Sequence, residues 1–256
     1  MGDEQLRLAL ALMYTNELPW LKLHLPAYRD GFDGIVAITD PLTIDGSTHY
    51  LSKLGADTMT AGWNYNWGAF ATKLVNFAEE LGYDAVMRVD PDEMLMPGSA
   101  DEIKRLLTEE AALLCFPRHE FFGDREHVRA DIYPDYQARA WRLNRGIVVG
   151  GQRHEGINFM QHGLAEHTDD PANKVLRLKD IHIFHYGWAS KTGIWENMVK
   201  YQSHEQVMAG GPPEVNFPPD TPLVEFPTMP FFDDQPIDPK VCGLFAPFDG
   251  VDQNVL

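Results

Sequence analysis

Short apolar runs alternate with helix-spaced segments along the first third of this chain, and that alternation leaves few folds open to it. Leu8–Tyr14, Gly34–Thr39 and residues 84–89 read as buried strands bounded by turn residues. Between them a helix starts at Trp20 behind Pro19, a favourable first-turn residue, and a second covers residues 48–54. Residues 56–60 make a short third strand. Residues 66–81 form an amphipathic helix with Phe70, Leu74, Phe77 and Leu81 at helical spacing and Gly82 as its cap. Strands alternating with helices give a largely parallel α/β sheet, whose ligand crevice lies beyond the carboxyl ends of its strands.

The order continues with a helix at 101–110, strands at 113–117, 139–143 and 179–186, and a helix at 191–209, while the polar stretch 120–136 fits no period. From Gly210 onward prolines recur, acids far outnumber the single Lys240, and Phe217, Phe226, Phe231, Phe232, Phe245 and Phe248 are spaced along the tail. The expected organisation is one α/β domain over 1–209 and a Pro/Phe-rich acidic C-terminal extension over 210–256. Docking on the domain, or a homo-oligomer interface, would employ those phenylalanines.

Arg88-Val89-Asp90-Pro91-Asp92-Glu93 closes the strand at 84–89, and Pro91 is expected to stop further ladder pairing. An extended backbone returns to one face every second residue, so Asp90 and Asp92 should project into one space. Two carboxylates that close repel each other unless a cation sits between them. Oxygen donors suit Mg²⁺ or Mn²⁺, ions that keep positions open for water and substrate phosphates. The competing reading is a solvated acidic turn.

Net charge narrows the partners. At −17 over 256 residues, the chain repels nucleic acid and anionic membranes at long range. Arg118, Arg125, Arg129, Arg139, Arg142, Arg145 and Arg153 cluster in the middle third, where an anionic ligand is expected unless they pair with neighbouring acids. The start of the chain lacks the basic region of a secretion signal, no apolar run reaches spanning length, and Cys115 and Cys242 have no metal-type spacing. A cytoplasmic location is the expectation.

Several motifs then occur in sequence. Thr15-Asn16-Glu17 follows the first strand, and Gly31-Phe32-Asp33-Gly34-Ile35-Val36 leads the second. Asp40 and Asp45-Gly46-Ser47-Thr48 follow that strand, and Lys73 sits in the next helix. Asp90-Pro91-Asp92-Glu93 comes next, then Arg142-Leu143 with Arg153-His154-Glu155-Gly156, and finally Ile183-Phe184-His185-Tyr186-Gly187. In this order and spacing they resemble the GT-A glycosyltransferases, especially the family 2-like nucleotide-sugar transferases, over about residues 8–209.

The resemblance implies a Rossmann-like, mainly parallel central sheet flanked by helices. It also implies metal-dependent transfer of a hexose or pentose, with inversion, from a nucleoside-diphosphate sugar (UDP-sugar favoured) to a hydroxyl on a saccharide, protein or modified nucleic-acid base. Asn16, Glu17, Asp40, Asp45, Lys73, Asp90, Arg142 and Arg153 would bind the donor, with Arg145 as a further diphosphate contact. Asp92 would be the main ligand of Mn²⁺ or Mg²⁺ and His185 the second, while Asp90 bonds the metal through water, holds the ribose, or only supports the ligands without touching the metal. His182, three residues before His185 on the same strand, faces the other way. Glu155 is the expected general base with His154 as helper or rival, and Glu93 either orients backbone and acceptor groups or is a surface acid without a role. Trp63, Tyr65 and Trp67 are either a stacking platform or core, with core the weightier reading. Two alternatives are a metal-dependent phosphoesterase and a nucleotide-sugar-binding protein without catalysis.

Overall fold

A computed structural model describes residues 6–63, 66–109, 111–122, 127–129, 135–143, 147–150, 156–159, 162–164, 175–189 and 223–225. The chain divides into two compact units, one of Met1–His119 with Ile132–His185 and one of Glu120–Asp131 with Tyr186–Leu256.

The first unit opens with β1 (Leu8–Tyr14), α1 (Leu18–Tyr28), β2 (Gly34–Thr39), α2 (Ser47–Lys53), β3 (Asp57–Thr60) and α3 (Trp67–Glu80). It continues through β4 (Ala85–Arg88), β5 (Glu93–Leu95), α4 (Ala100–Glu109) and β6 (Leu113–Phe122). β7 (His127–Arg129) belongs to the second unit, and β8 (Asp135–Arg142) returns to the first. A three-stranded antiparallel sheet of β9 (Ile147–Gly150), β10 (Gly156–Phe159) and β11 (His162–Leu164) follows, then β12 (Val175–Arg177) and β13 (Ile183–Trp188).

In the first unit the main sheet runs β3-β2-β1-β4-β8-β6, with β12 beside β6. β3, β2, β1 and β4 are mutually parallel, and β8 is antiparallel to both β4 and β6. The chain has the α/β, mainly parallel architecture expected from its alternation. β1 lies at the centre and is buried along all seven residues, as a strand covered on both faces must be. Leu8, Leu10 and Leu12 are fully buried there, each worth roughly 1.5–3 kcal/mol of transfer free energy. α3 starts as its sequence suggests, with Asn66 Oδ1 accepting the Ala69 N–H at 2.9 Å, and packs Phe70, Ala71, Leu74 and Ala78 into the core. At Gly34, where β2 begins, a Cβ would run into the Tyr83 hydroxyl, so any side chain there would displace that ring.

The structure departs from the sequence reading at several strands: the strand expected over 179–186 starts only at Ile183, and β12 precedes it unanticipated. β6 continues through Pro117 to Phe122 instead of ending at 117. β8 starts four residues before 139, drawing the end of the unplaced 120–136 stretch into the sheet through the pairs Arg118↔Asp135 and Pro117↔Tyr136. β5 was not anticipated: pairing resumes two residues after Pro91, against β13. In the second unit, Phe121 of β6 pairs with Val128 of β7, which pairs in turn with β14 (Leu223–Glu225), and Phe121 stacks on Tyr186 at 4.7 Å. The expected helix at 191–209 and the rest of the extension lie outside the described residues. Among the described residues no helix is long and apolar enough to cross a membrane.

Candidate active site

Parallel order places the carboxyl ends of β1, β2, β3 and β4 along one edge, and the loops that leave them carry most of the expected donor residues. Behind β1, Asn16 adopts a left-handed φ of 55°, a conformation that asparagine tolerates better than most residues. Its Oδ1 accepts from Ile44 N at 2.8 Å and Asp45 N at 3.3 Å, so the turn after β1 braces the loop after β2. Asp40 holds the near side of that loop, accepting from Leu42 N at 2.9 Å and from Trp63 N at 3.1 Å, which ties the β2 loop to the end of β3. Glu17 stands where α1 begins, and its backbone N–H donates to Ser47 Oγ at 3.1 Å.

Asp45, expected to bind the donor, is partly buried and joins the starts of two helices. Its Oδ2 accepts the first N–H of α1, Leu18, at 2.8 Å, and its Oδ1 accepts the first N–H of α2, Ser47, at 2.9 Å together with the Ser47 hydroxyl at 2.6 Å. Partial burial alone would raise this carboxyl, but those hydrogen bonds outweigh it and hold the group below its usual range. One side chain therefore satisfies orphan donors at two helix starts. Trp63 and Trp67, 4.8 Å apart and tilted, pack against the core cluster, while Tyr65 lies outside the described residues.

β4 delivers the acidic segment. Residues 90–93 form a turn, closed by Glu93 N–H to Asp90 C=O at 2.9 Å and by Asp90 N–H to Glu93 Oε2 at 3.1 Å. Proline at the second position is suited to such a turn. The consequence corrects the extended-strand expectation: Asp90 and Asp92 meet different partners. Asp90 Oδ2 lies 3.5 Å from Arg88 Nη2 and 3.2 Å from Arg139 Nη2. Asp92 Oδ2 instead lies 3.3 Å from His185 Nε2.

Glu93 is no surface acid. It is fully buried, and its Oε1 accepts from Arg139 Nη2 at 2.6 Å and from Arg118 Nη1 at 3.3 Å, while Arg118 also pairs with Asp135 at 2.7 Å. Burial, then the charge of Asp90, push the Glu93 carboxyl upward, against the pull of Arg118 and His185. Glu93 is also the β5 residue paired with His185 of β13, so sheet register brings Asp92 and His185 together.

α1 supports the turn from its buried face. His24 and Tyr28 lie four and eight residues after Trp20, on the stripe that α1 buries. His24 Nδ1 is 3.0 Å from the Pro91 carbonyl, which can only accept, so Nδ1 carries the proton. The buried Tyr28 hydroxyl is raised far above its usual range by burial and then by Glu93, Asp90 and Asp92.

Arg142 does not join this site. β8 runs antiparallel to β4, so Arg142 stands opposite Ala85, at the amino end of β4. Three residues earlier, about 10 Å along the strand and on the other face, Arg139 reaches the acids. Lys73 is exposed on α3. Glu155, His154, Arg153 and Arg145 lie outside the described residues. His182 is hydrogen-bonded to His119, Nδ1 to Nε2 at 3.0 Å, and stays apart from Asp92.

His24 and Tyr28 are members that sequence reasoning did not single out, while Arg118 and Arg139, named in the arginine cluster, pair with acids, the alternative given for that cluster. Arg88 and Arg139 each interrupt an apolar strand, and a charge buried in a strand requires acidic partners. Among the described residues no group of three or more His, Cys, Asp or Glu is arranged to hold a metal ion. The Asp92–His185 pair nevertheless offers one oxygen and one nitrogen donor converging from two elements. That set fits an ion such as Mn²⁺ or Mg²⁺ whose other positions go to phosphate oxygens and water.

No family model and no curated protein matches the chain. Among solved structures it is similar to residues 1–349 of S. aureus TarS, at 11% identity and a TM-score of 0.50 over 78% of this chain and 66% of that one. The same fragment crystallised with UDP-GlcNAc gives a TM-score of 0.49 at 11% identity, over 78% of this chain and 67% of that one. Mycobacterium tuberculosis glucosyl-3-phosphoglycerate synthase, solved with Mn²⁺, UDP and phosphoglyceric acid, gives 0.33 at 14% identity over 45% of this chain and 43% of that one. The chain thus spans 66% of the TarS fragment, and the likeness is one of fold: this is a GT-A fold.

Proposed function

We propose that this chain is a glycosyltransferase that moves a sugar from a nucleoside-diphosphate sugar, a UDP-sugar in the first instance, to a hydroxyl acceptor. The observation that carries the reading is the Asp92–His185 pair at the carboxyl edge of a GT-A sheet, 3.3 Å apart and partly open to solvent. Asn16 and Asp40 brace the loops on the nucleotide side of that edge. Asp92 and His185 would hold Mn²⁺ or Mg²⁺, which when bound neutralises the charge that develops on the departing diphosphate.

The acceptor oxygen forms a bond to the anomeric carbon while the bond from that carbon to the diphosphate oxygen breaks, its electron pair leaving with the diphosphate. Glu155 takes the acceptor's proton, with His154 as helper, and attack from the opposite face inverts the anomeric centre. Arg145, Arg153 and Lys73 remain the candidates for contacting the diphosphate; Arg142, at the far end of β8, is not one.

A hydrolysis screen of UDP-, GDP- and TDP-sugars with Mn²⁺ or Mg²⁺ tests the reading. Release of nucleoside diphosphate from one donor class, lost in Asp92→Ala, supports it. No turnover of any donor, together with no nucleotide-dependent rise in melting temperature, overturns it.

A further inference from the structure

Arg88 and Arg139 are the residues next to the β4–β8 pair Met87↔Ala140, and both guanidinium groups reach the same oxygen of Asp90. Like charges brought this close repel. Both side chains are also buried, at 5% and 2% exposure, so water cannot screen them. Two acids resolve the conflict: Asp90 lies against both guanidinium groups, and Glu93 lies against Arg139 at 2.6 Å. The same Glu93 closes the Asp90–Glu93 turn through its second carboxylate oxygen and pairs with His185 across β5 and β13.

We propose that Glu93 and Arg139 are positioning residues for the cation site. The buried pair locks the turn, engages Asp90, and leaves Asp92 as the carboxylate that meets a divalent cation beside His185. The inference rests on the transferase reading and deepens it. It divides the acidic motif by role: Asp90 and Glu93 neutralise the arginines beside the turn, and Asp92 is the carboxylate that meets His185. Outer partners of this kind orient the donor atoms and set the affinity of the site.

The test is Mn²⁺ binding to the full chain in the presence of UDP, followed by electron paramagnetic resonance, with melting temperature measured on the same samples. Asp92→Asn and His185→Ala are expected to remove the bound-Mn²⁺ signal. Glu93→Gln and Arg139→Met are expected to weaken Mn²⁺ roughly 10- to 100-fold and to broaden the bound spectrum, while Arg105→Gln, on an exposed α4 ion pair, leaves both unchanged. If Glu93→Gln does not fold, Glu93→Gln with Arg139→Gln removes both charges together and is read in the same way. Wild-type affinity in folded Glu93 and Arg139 variants, with Asp92→Asn inactive in binding, overturns the positioning role and leaves the transferase reading standing. No Mn²⁺ binding by the wild-type chain with any nucleoside diphosphate overturns the cation site, and the positioning role falls with it.

Discussion

Asp92 Oδ2 and His185 Nε2 meet at 3.3 Å although 93 residues separate them in the chain. The turn at 90–93 and the register of β5 on β13 create that meeting. A ligand that binds the folded state at a hundred times its dissociation constant adds about 2.7 kcal/mol. For a chain of this size that corresponds to a rise in melting temperature of roughly 5–10 °C. Mn²⁺ with UDP is expected to raise the wild-type melting temperature by that order. Neither Asp92→Ala nor His185→Ala should show that rise in a thermal melt with and without both ligands.

The fold was legible in the sequence because its signals are local. β1 and β2 read as uninterrupted apolar runs and α3 as one apolar face behind an Asn cap, and all three formed at or within a residue or two of the expected bounds. The site was legible only in part. Asp92 and His185 were visible as types of residue at strand ends, whereas the choice between Arg139 and Arg142 depends on β8 running antiparallel to β4. Strand direction is a property of pairing, and no residue of β8 encodes it by itself. The burial of Glu93 was hidden for the same reason, since the arginines that make it tolerable arrive from β6 and β8.

Arg139 and Arg142 offer a direct comparison. Removing one member of a buried ion pair leaves the other charge uncompensated, at a cost of about 3–5 kcal/mol. Arg139→Met is therefore expected to destabilise the fold by that amount in urea unfolding. Arg142→Met, on the opposite face at the far end of the strand, should stay within about 0.5 kcal/mol of wild type. Equal losses in the two variants would contradict the register drawn between β4 and β8.

Asp45 tests whether the loop after β2 recognises the nucleotide through this carboxylate or is merely built by it. The side chain already accepts from Leu18 N, Ser47 N and Ser47 Oγ. Asp45→Ala should cost about 1–2 kcal/mol, the value of a lost helix cap, and should lower UDP affinity little in the folded fraction. Asp40→Ala, by contrast, releases Trp63 from the β2 loop and should weaken UDP binding measured by calorimetry.

Glu155 separates binding from chemistry. A general base acts on the acceptor and leaves the donor's contacts untouched. Glu155→Gln is expected to retain Mn²⁺–UDP binding and to lose transfer by 100-fold or more, on the order of a general base's contribution. A variant with full transfer activity would remove Glu155 from that role and make His154 the next candidate.

The His119–His182 pair makes stability depend on pH in the acid range. Burial first, and then the neighbouring His182, lower His119 to about 4; burial lowers His182 as well. In the unfolded chain both titrate near 6.5. Between those values the unfolded state binds more protons than the folded one, so stability must fall as pH drops. The contribution is complete above about pH 6.5 and is lost toward pH 4, at no more than about 1.4 kcal/mol per pH unit for each histidine. The 3.0 Å Nε2···Nδ1 contact gives the same sign, because it requires one ring nitrogen to accept, and an imidazolium cannot. His119→Gln retains a group able to bond His182 but removes one titrating site. Its unfolding free energy, followed from pH 7 to pH 4.5, should decline with a slope shallower than wild type by up to one proton's worth. Parallel slopes would mean that His119 already carries its proton in the folded chain.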